Sequence, residues 1–367
     1  MSFVFKDSIS LNIFGSSHGE LVGCTLGGIP SGAKIDHAMI SKWMERRAPG
    51  RSTLTSQRKE SDEVKIVSGV VDGYTDGGAI TMLISNHDVI SKHYDELMDN
   101  PRPGHGDISL FIKYGEHRNF SGGGFLSGRM TAPLVAAGSI ALGILNERGI
   151  EVSSCLEQMG DIRCPINGYT SDNEVYRHET RMPHKDCDSR ASEMLKKLSS
   201  EGDSTGGIVG THVMNAPPGI GEPFFDSVES VLSHLVFSIP GVKGIEFGSG
   251  FAMSSMKGSE TNDPLEWKDG RFISSRNNNG GILGGIAYGN PIYFRTAMKP
   301  TSSIRIEQDT VNVKTHENSK IVVKGRHDPC IAIRAVPVVN CVTAIGILDL
   351  YLRSGKFRSR GLPAHIR

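Results

Sequence analysis

Apolar positions along the chain fall into two periods. Between Asp36 and Arg47, Met39, Ile40, Trp43 and Met44 recur at helical spacing, and Asp36 is suited to cap the first turn. The stretch from Met130 to Arg148 is small and apolar nearly all round, which predicts a buried helix that stops at Gly149. Its most apolar part, Ala132 to Leu145, is too short to span a bilayer. Asp226 followed by Glu229 resembles a capping box ahead of Val228, Val231, Leu232, Leu235 and Val236. A last apolar helical segment is expected from Val338 to Leu352, beyond Pro337. Strand-like runs occupy Glu63–Val70, Ala79–Ile84, Gly207–Met214, Pro291–Thr296 and Lys320–Val323. Helices and strands do not alternate strictly. The pattern therefore favours an α+β fold with antiparallel sheets over a doubly wound one. No linker-like stretch divides the chain, so residues 1–367 read as one unit.

Composition narrows the function. With 38% hydrophobic and 22% charged residues, the chain can bury an ordinary core. Forty basic residues balance forty acidic ones, and there is no basic stripe, so nucleic acid is not an expected partner. Any anion must be held by a local cluster of cations. The six cysteines are scattered without a CxxC, which reads as reduced thiols in a cytoplasmic protein. The first residues lack the layout of a signal peptide, and no membrane association is expected. Glycine doublets recur along the chain, marking tight turns and close backbone approaches.

The common nucleotide motifs are missing. There is no GxxxxGK[ST], and Gly122–Gly128 falls one residue short of GxGxxG. The thirteen histidines form no HxH, HxxxH or HExxH, so no metal is expected. Five polar segments remain. Gly15-Ser-Ser-His-Gly19 sets a histidine among small residues, although a turn with a solvated histidine would look the same. Arg46-Arg47-Ala-Pro-Gly50-Arg51 puts guanidiniums at a helix C-terminus, where they complement the dipole or form a fork for an anion. Arg102-Pro-Gly-His-Gly-Asp107 holds a histidine beside a carboxylate. Ser121–Arg129 feeds the buried helix with free backbone N–H groups. Lys299-Pro-Thr-Ser-Ser303 and Arg326-His-Asp-Pro329 offer hydroxyls, cations and a carboxylate. Together they suit an anionic substrate that needs proton transfers.

In this order the segments resemble the chorismate synthase family over nearly the whole chain. The matching motifs are GSSHG at Gly15, RRAPGRS at Arg46, RKESDEV at Arg58, RPGHGD at Arg102 and SGGGFLSGR at Ser121. They continue with GDSTGG at Gly202, SIPGVKGIEFGSGF at Ser238, GGILGGI at Gly280, KPTSS at Lys299 and GRHDPC at Gly325. The resemblance implies a β-α-β sandwich, with central helices between antiparallel sheets, assembled as a homotetramer. It implies a lyase that uses reduced FMN to expel phosphate from 5-enolpyruvylshikimate 3-phosphate, giving chorismate for aromatic amino-acid biosynthesis. No segment looks like a flavin reductase, so the reduced flavin would come from outside.

Carried over by position, His18 matches the histidine that serves the flavin, and His105 the one that assists phosphate departure. Asp328 matches the proposed base, and Ser17 and Ser127 match serines beside these groups. Phe125, Leu126, Ser127, Pro240, Gly241, Gly284, Lys299, Pro300, Thr301, Ser302, Ser303 and Arg326 fall where the family holds FMN. Arg47 and Arg129, with Arg46, Arg51 and Arg334 as further candidates, fall where it grips substrate. The chain also departs from the family. Ser16 stands where glutamate is usual, and Thr53 where arginine is common. Ser121 to Thr131 lacks two arginines and a glutamate of the usual loop. The alternatives are a relative that binds flavin or phosphate without catalysis, and a lyase for another polyanionic cyclohexene.

Overall fold

Two long apolar helices pack against each other between two antiparallel sheets, in a computed structural model that describes residues 3–48, 50, 62–86, 95–119, 121–166, 168–323, 325 and 327–356. The helices are Thr131–Asn146 and Ala332–Arg353. The first is buried everywhere except Gly143 and Asn146. They approach at small residues: a Cβ on Gly138 would lie 2.4 Å from Cys341 Cβ. Any larger residue at Gly138 would overpack this crossing. Counted with the turn Gly128–Met130 ahead of it, the first helix reaches a membrane-crossing length and hydropathy, as the second does, yet 89% and 94% of their apolar windows are buried inside the molecule. They are core helices, as the apolar run at Ala132–Leu145 indicated.

One sheet orders its strands Phe3–Lys6, Ser10–Gly15, Leu21–Gly27, Ile80–Ser85 and Lys65–Ser68. The other orders Val242–Phe247, Ile292–Met298, Gly207–Met214, Glu151–Met159 and Ile162–Arg163. Each buries one face on the helices: Val22, Cys24 and Leu26 from the first, Val209, Val213 and Phe294 from the second. Each fully buried Val, Leu or Phe side chain contributes about 1.5–3 kcal/mol. The α+β expectation holds. His37–Arg47 and Val228–Val236 flank the central pair.

Local signals held in places and failed in others. Asp36 caps His37–Arg47, accepting from Met39 N–H at 3.0 Å. Gly207–Met214 has the bounds expected of it. The last helix, however, begins at Ala332 and runs through Pro337. The lost N–H bond at Pro337 is tolerated because the helix is buried around its circumference. Asp226 is not the cap of Val228–Val236. Ser227 Oγ accepts from Ser230 N–H at 3.0 Å, while Asp226 reaches Arg353. The strand expected at Lys320–Val323 is instead Glu317–Ile321, paired with Gln308–Asn312.

Candidate functional site

Site residues sit at the ends of these elements. The turn after Ser10–Gly15 carries Ser17 and His18. Gly15 adopts φ +93°, and a Cβ there would lie 2.3 Å from Leu21 O, so only glycine starts this turn without strain. Asn86 Nδ2 donates to the carbonyls of Ser16 (3.0 Å) and Gly19 (2.8 Å), fixing the loop from below. Ser17 is fully buried. Its N–H donates to Gly124 O, and its Oγ lies 3.2 Å from His18 Nδ1.

The segment Arg102–Asp107 folds into a turn at the start of helix Asp107–Tyr114. Arg102 grips Asp107 with both arms: Nε to Oδ2 at 2.7 Å and Nη2 to Oδ1 at 2.9 Å. Arg102 Nη1 donates to Ser303 Oγ at 3.1 Å. His105 Nδ1 lies 2.6 Å from Asp107 Oδ1. Burial alone would raise the Asp107 pKa, but hydrogen bonds from Arg102 and His105 outweigh it and hold the carboxyl well below its usual range.

The glycine loop packs between these two turns. A Cβ on Gly123 would come 3.8 Å from both Arg102 Nη2 and His105 Cε1. Ser127 Oγ accepts from Arg129 N–H at 3.2 Å, ordering the entry to the central helix. Arg129 then donates from Nε to Asn86 Oδ1 (2.9 Å), from Nη2 to Ser85 O (3.0 Å), and from Nη1 to Asp62. Arg47 reaches the same carboxylate, donating from Nη2 to Asp62 Oδ2 at 2.6 Å and from Nε at 3.1 Å. Its remaining arm turns on Gly128 O and Thr131 Oγ1, and the residue is 1% exposed. Burial pulls the Arg47 pKa down to about 10, with Asp62 opposing and Arg334 and Arg129 adding to the fall. Asp62, which burial would raise, is held low by Arg47 and Arg129.

Asp328 closes the arrangement. Arg334 Nη1 donates to its Oδ2 at 3.0 Å, and Arg334 Nε donates to Arg47 O at 3.3 Å. Thr301 Oγ1 donates to Asp328 O at 2.7 Å. Lys299 Nζ donates to Gly104 O, and its N–H to Gly241 O at 2.9 Å, which brings Pro240 and Gly241 alongside. Burial and Lys243 lower the Lys299 pKa. Contacts thus run in a closed ring: His18 loop, glycine loop, His105 turn, hydroxyl loop, Asp328, Arg334, Arg47, Asp62, Arg129, Asn86 and back.

Some expected site residues lie elsewhere. Arg46 turns away from Arg47, pairs with Asp172 at 2.6 Å, and stacks on Tyr176 and Trp43. Adjacent helical residues point about 100° apart, so only one of the two arginines can face the ring. The Phe125 side chain packs between Phe3 and Tyr114, at centroid distances of 5.4 and 5.7 Å, rather than into the ring. Leu126 fills the space that Gly106 leaves: a Cβ there would lie 2.3 Å from Leu126 Cδ1. Gly284 turns the separate hairpin Ile282–Leu283/Ile286–Ala287, with open space where a Cβ would sit. Arg51 and Arg326 lie outside the described residues. Asp62, Asn86 and Arg102 were not singled out from sequence. Asp62 and Arg102 stood inside matched motifs, and that was the available signal.

Comparison with known proteins decides the family. The chorismate synthase family model matches residues 9–352. The chain belongs to the chorismate synthase family. Among curated relatives, the chorismate synthase of Korarchaeum cryptofilum (strain OPF8) is 43% identical, over 96% of this chain and 98% of its own length. That of Methanosarcina barkeri (strain Fusaro / DSM 804) is 42% identical over 98% of both. A solved structure, "Crystal Structure of Chorismate Synthase", superposes with a TM-score of 0.73 at 25% identity, covering 94% of this chain and 92% of that one. In this member of the chorismate synthase family the loop before the central helix is held by its own apolar side chains. Phe125 joins an aromatic cluster, and Leu126 seats on Gly106.

Proposed function

We propose that this chorismate synthase family member removes phosphate and a ring hydrogen from 5-enolpyruvylshikimate 3-phosphate, giving chorismate. It does so as a carbon–oxygen lyase, with reduced FMN bound and no net redox change. The closed ring of contacts carries this reading, because it gathers His18, His105 and Asp328 with five cations: Arg47, Arg102, Arg129, Arg334 and Lys299. Three carboxylates, Asp62, Asp107 and Asp328, oppose them. A chain of zero net charge thereby keeps a local positive excess for a substrate with about four negative charges near neutral pH.

The residues fit FMN. Gly128 has no atom within 4 Å of a would-be Cβ, leaving backbone beside the ring open to a flat group. Lys299, Pro300, Thr301, Ser302 and Ser303, with Ser127, Pro240, Gly241 and Arg326, would hold it. Reduced FMN, when bound, supplies electron density that helps phosphate leave and recovers it as the hydrogen departs. His105 gives its proton to the departing phosphate, Asp328 receives the ring proton, and His18 with Ser17 keeps a proton beside the flavin. Arg47 and Arg129 act through the charge of the Asp62 cluster, since Arg47 has its donors turned inward. The family resemblance also supports a cytoplasmic homotetramer with an external flavin reductant. One core shared by both sheets supports a single domain over 1–367.

Anaerobic assays with reduced FMN test the reading. Phosphate should appear with chorismate while the flavin stays reduced. Oxidation of one FMN per product would overturn it, and flavin binding without phosphate release would favour a non-catalytic relative. His105→Ala should lower kcat by roughly a hundredfold or more. His37→Ala, on the exposed first turn of its helix, should leave kcat near wild type.

A further inference from the structure

His105 Nδ1 has two polar neighbours: Asp107 Oδ1 at 2.6 Å and Arg102 Nη2 at 3.1 Å. They make opposite demands. A carboxylate asks the nitrogen to carry a proton; a guanidinium asks it to be bare. The surroundings of Asp107 settle the contest. Its side chain is 1% exposed and accepts from Arg102 N–H (3.1 Å), Nε (2.7 Å) and Nη2 (2.9 Å). Four short approaches to two oxygens suit only an ionised carboxylate. Arg102 is anchored in turn by Ser303, which is 7% exposed. One Nη2 hydrogen goes to Oδ1. The second could be accepted only by a bare Nδ1, and a bare Nδ1 would set its lone pair against an ionised oxygen at 2.6 Å. The shorter carboxylate contact wins, and Nδ1 carries the proton.

We propose that Asp107, clamped by Arg102, is a positioning residue that fixes a proton on His105 Nδ1 and leaves Nε2 as the nitrogen that meets the leaving phosphate. This rests on His105 being the proton donor. The balance is simple: charged imidazole gives its Nε2 proton to the phosphate oxygen as the carbon–oxygen bond breaks. The ring is left neutral with Nδ1–H still on Asp107, and water restores the Nε2 proton. Asp107 itself takes no proton. Because the imidazole is 20% exposed while its partner is buried, one edge of the ring is fixed by the protein and the other is available.

Enzyme with 15N-labelled imidazoles tests this, with His105→Gln identifying the resonances. The neutral ring of the wild type should carry its proton on Nδ1; a proton on Nε2 would overturn the proposal without any variant. In Asp107→Asn the carboxamide oxygen stays with Arg102 and the amide faces Nδ1 as a donor, so the proton should move to Nε2. The same exchange in a carboxylate–imidazole pair costs up to about 10⁴ in kcat, so a loss of roughly a hundredfold or more is expected, with KM little changed. A fall in kcat with the proton still on Nδ1 would mark a merely structural role and sink the proposal. So would unchanged kcat in Asp107→Asn where His105→Ala is impaired. If His105→Ala keeps full activity while the wild-type proton sits on Nδ1, the failure lies with His105 as donor, and Asp107's role falls with it.

Discussion

Two carboxylates are buried at opposite kinds of address, and they titrate in opposite directions. Asp107 stands at the N-terminus of its helix, where the dipole favours negative charge, with one guanidinium devoted to it at 2.7 and 2.9 Å. Its pKa falls. Asp349 lies near the end of the central helix, its side chain wholly buried. Burial pushes it up to about 6, and the hydrogen bond from Ile9 N–H at 2.7 Å only partly offsets this. Arg353 is nearby but divided: it reaches Asp7 at 2.6 Å, Asp226 at 3.0 Å and Asp349 only at 3.7 Å. Having an arginine as neighbour does not decide a buried carboxylate's charge. How much of that arginine is committed to it does.

The sharpest break of this comparison is Arg102→Ala. It strands a buried ionised Asp107, and removing one partner of such a pair costs roughly 3–5 kcal/mol. Urea unfolding at neutral pH should register that loss; a change under about 1 kcal/mol would show that Asp107 does not depend on its clamp. Next comes the pH dependence of Asp349. Its folded pKa lies above the 3.8 of an ordinary carboxyl, so the native state holds this proton more tightly than the unfolded chain. Its penalty is absent below about pH 4, grows as pH rises, and is complete above about pH 6. Wild type should therefore lose stability relative to Asp349→Asn across that window, by up to roughly 3 kcal/mol. A pH-independent difference in Tm would refute the buried-acid account. The smallest effect separates cap from neighbour at Val228–Val236. Ser227→Ala should cost about 1 kcal/mol. Asp226→Ala, which loses only a half-exposed ion pair, should cost less, and the reverse order would restore Asp226 as the cap.

Legibility in the sequence followed local periodicity. His37–Arg47 and Gly207–Met214 announced themselves because apolar residues recur at helical spacing in the first (Ile40, Trp43, Met44), and the second carries the β-branched residues Val209, Thr211 and Val213 at every other position. Ser10–Gly15, Leu21–Gly27 and Glu151–Met159 did not: the first buries only Leu11, and the buried positions of the other two include glycine, serine and cysteine. Ser154 is buried in the second sheet because Thr211 meets it across the strands at 2.9 Å, and no pattern of apolar residues shows such a pair. Pro337 looked like a boundary, yet burial of the whole helix outweighs one missing backbone bond.

For the site, the sequence determined the inventory: two histidines, a hydroxyl loop, the Asp328 carboxylate and a surplus of guanidiniums inside motifs of one family. Only the tertiary structure decided what each does. Arg46 and Arg47 are neighbours in sequence, but one stacks on Tyr176 and the other is locked onto Asp62. Arg102 finds Ser303 across 201 positions of chain. Residue type sets what a group can donate or accept. Its charge, proton and partner depend on distances of a few ångströms and on lost solvent, and those exist only once distant segments have packed together.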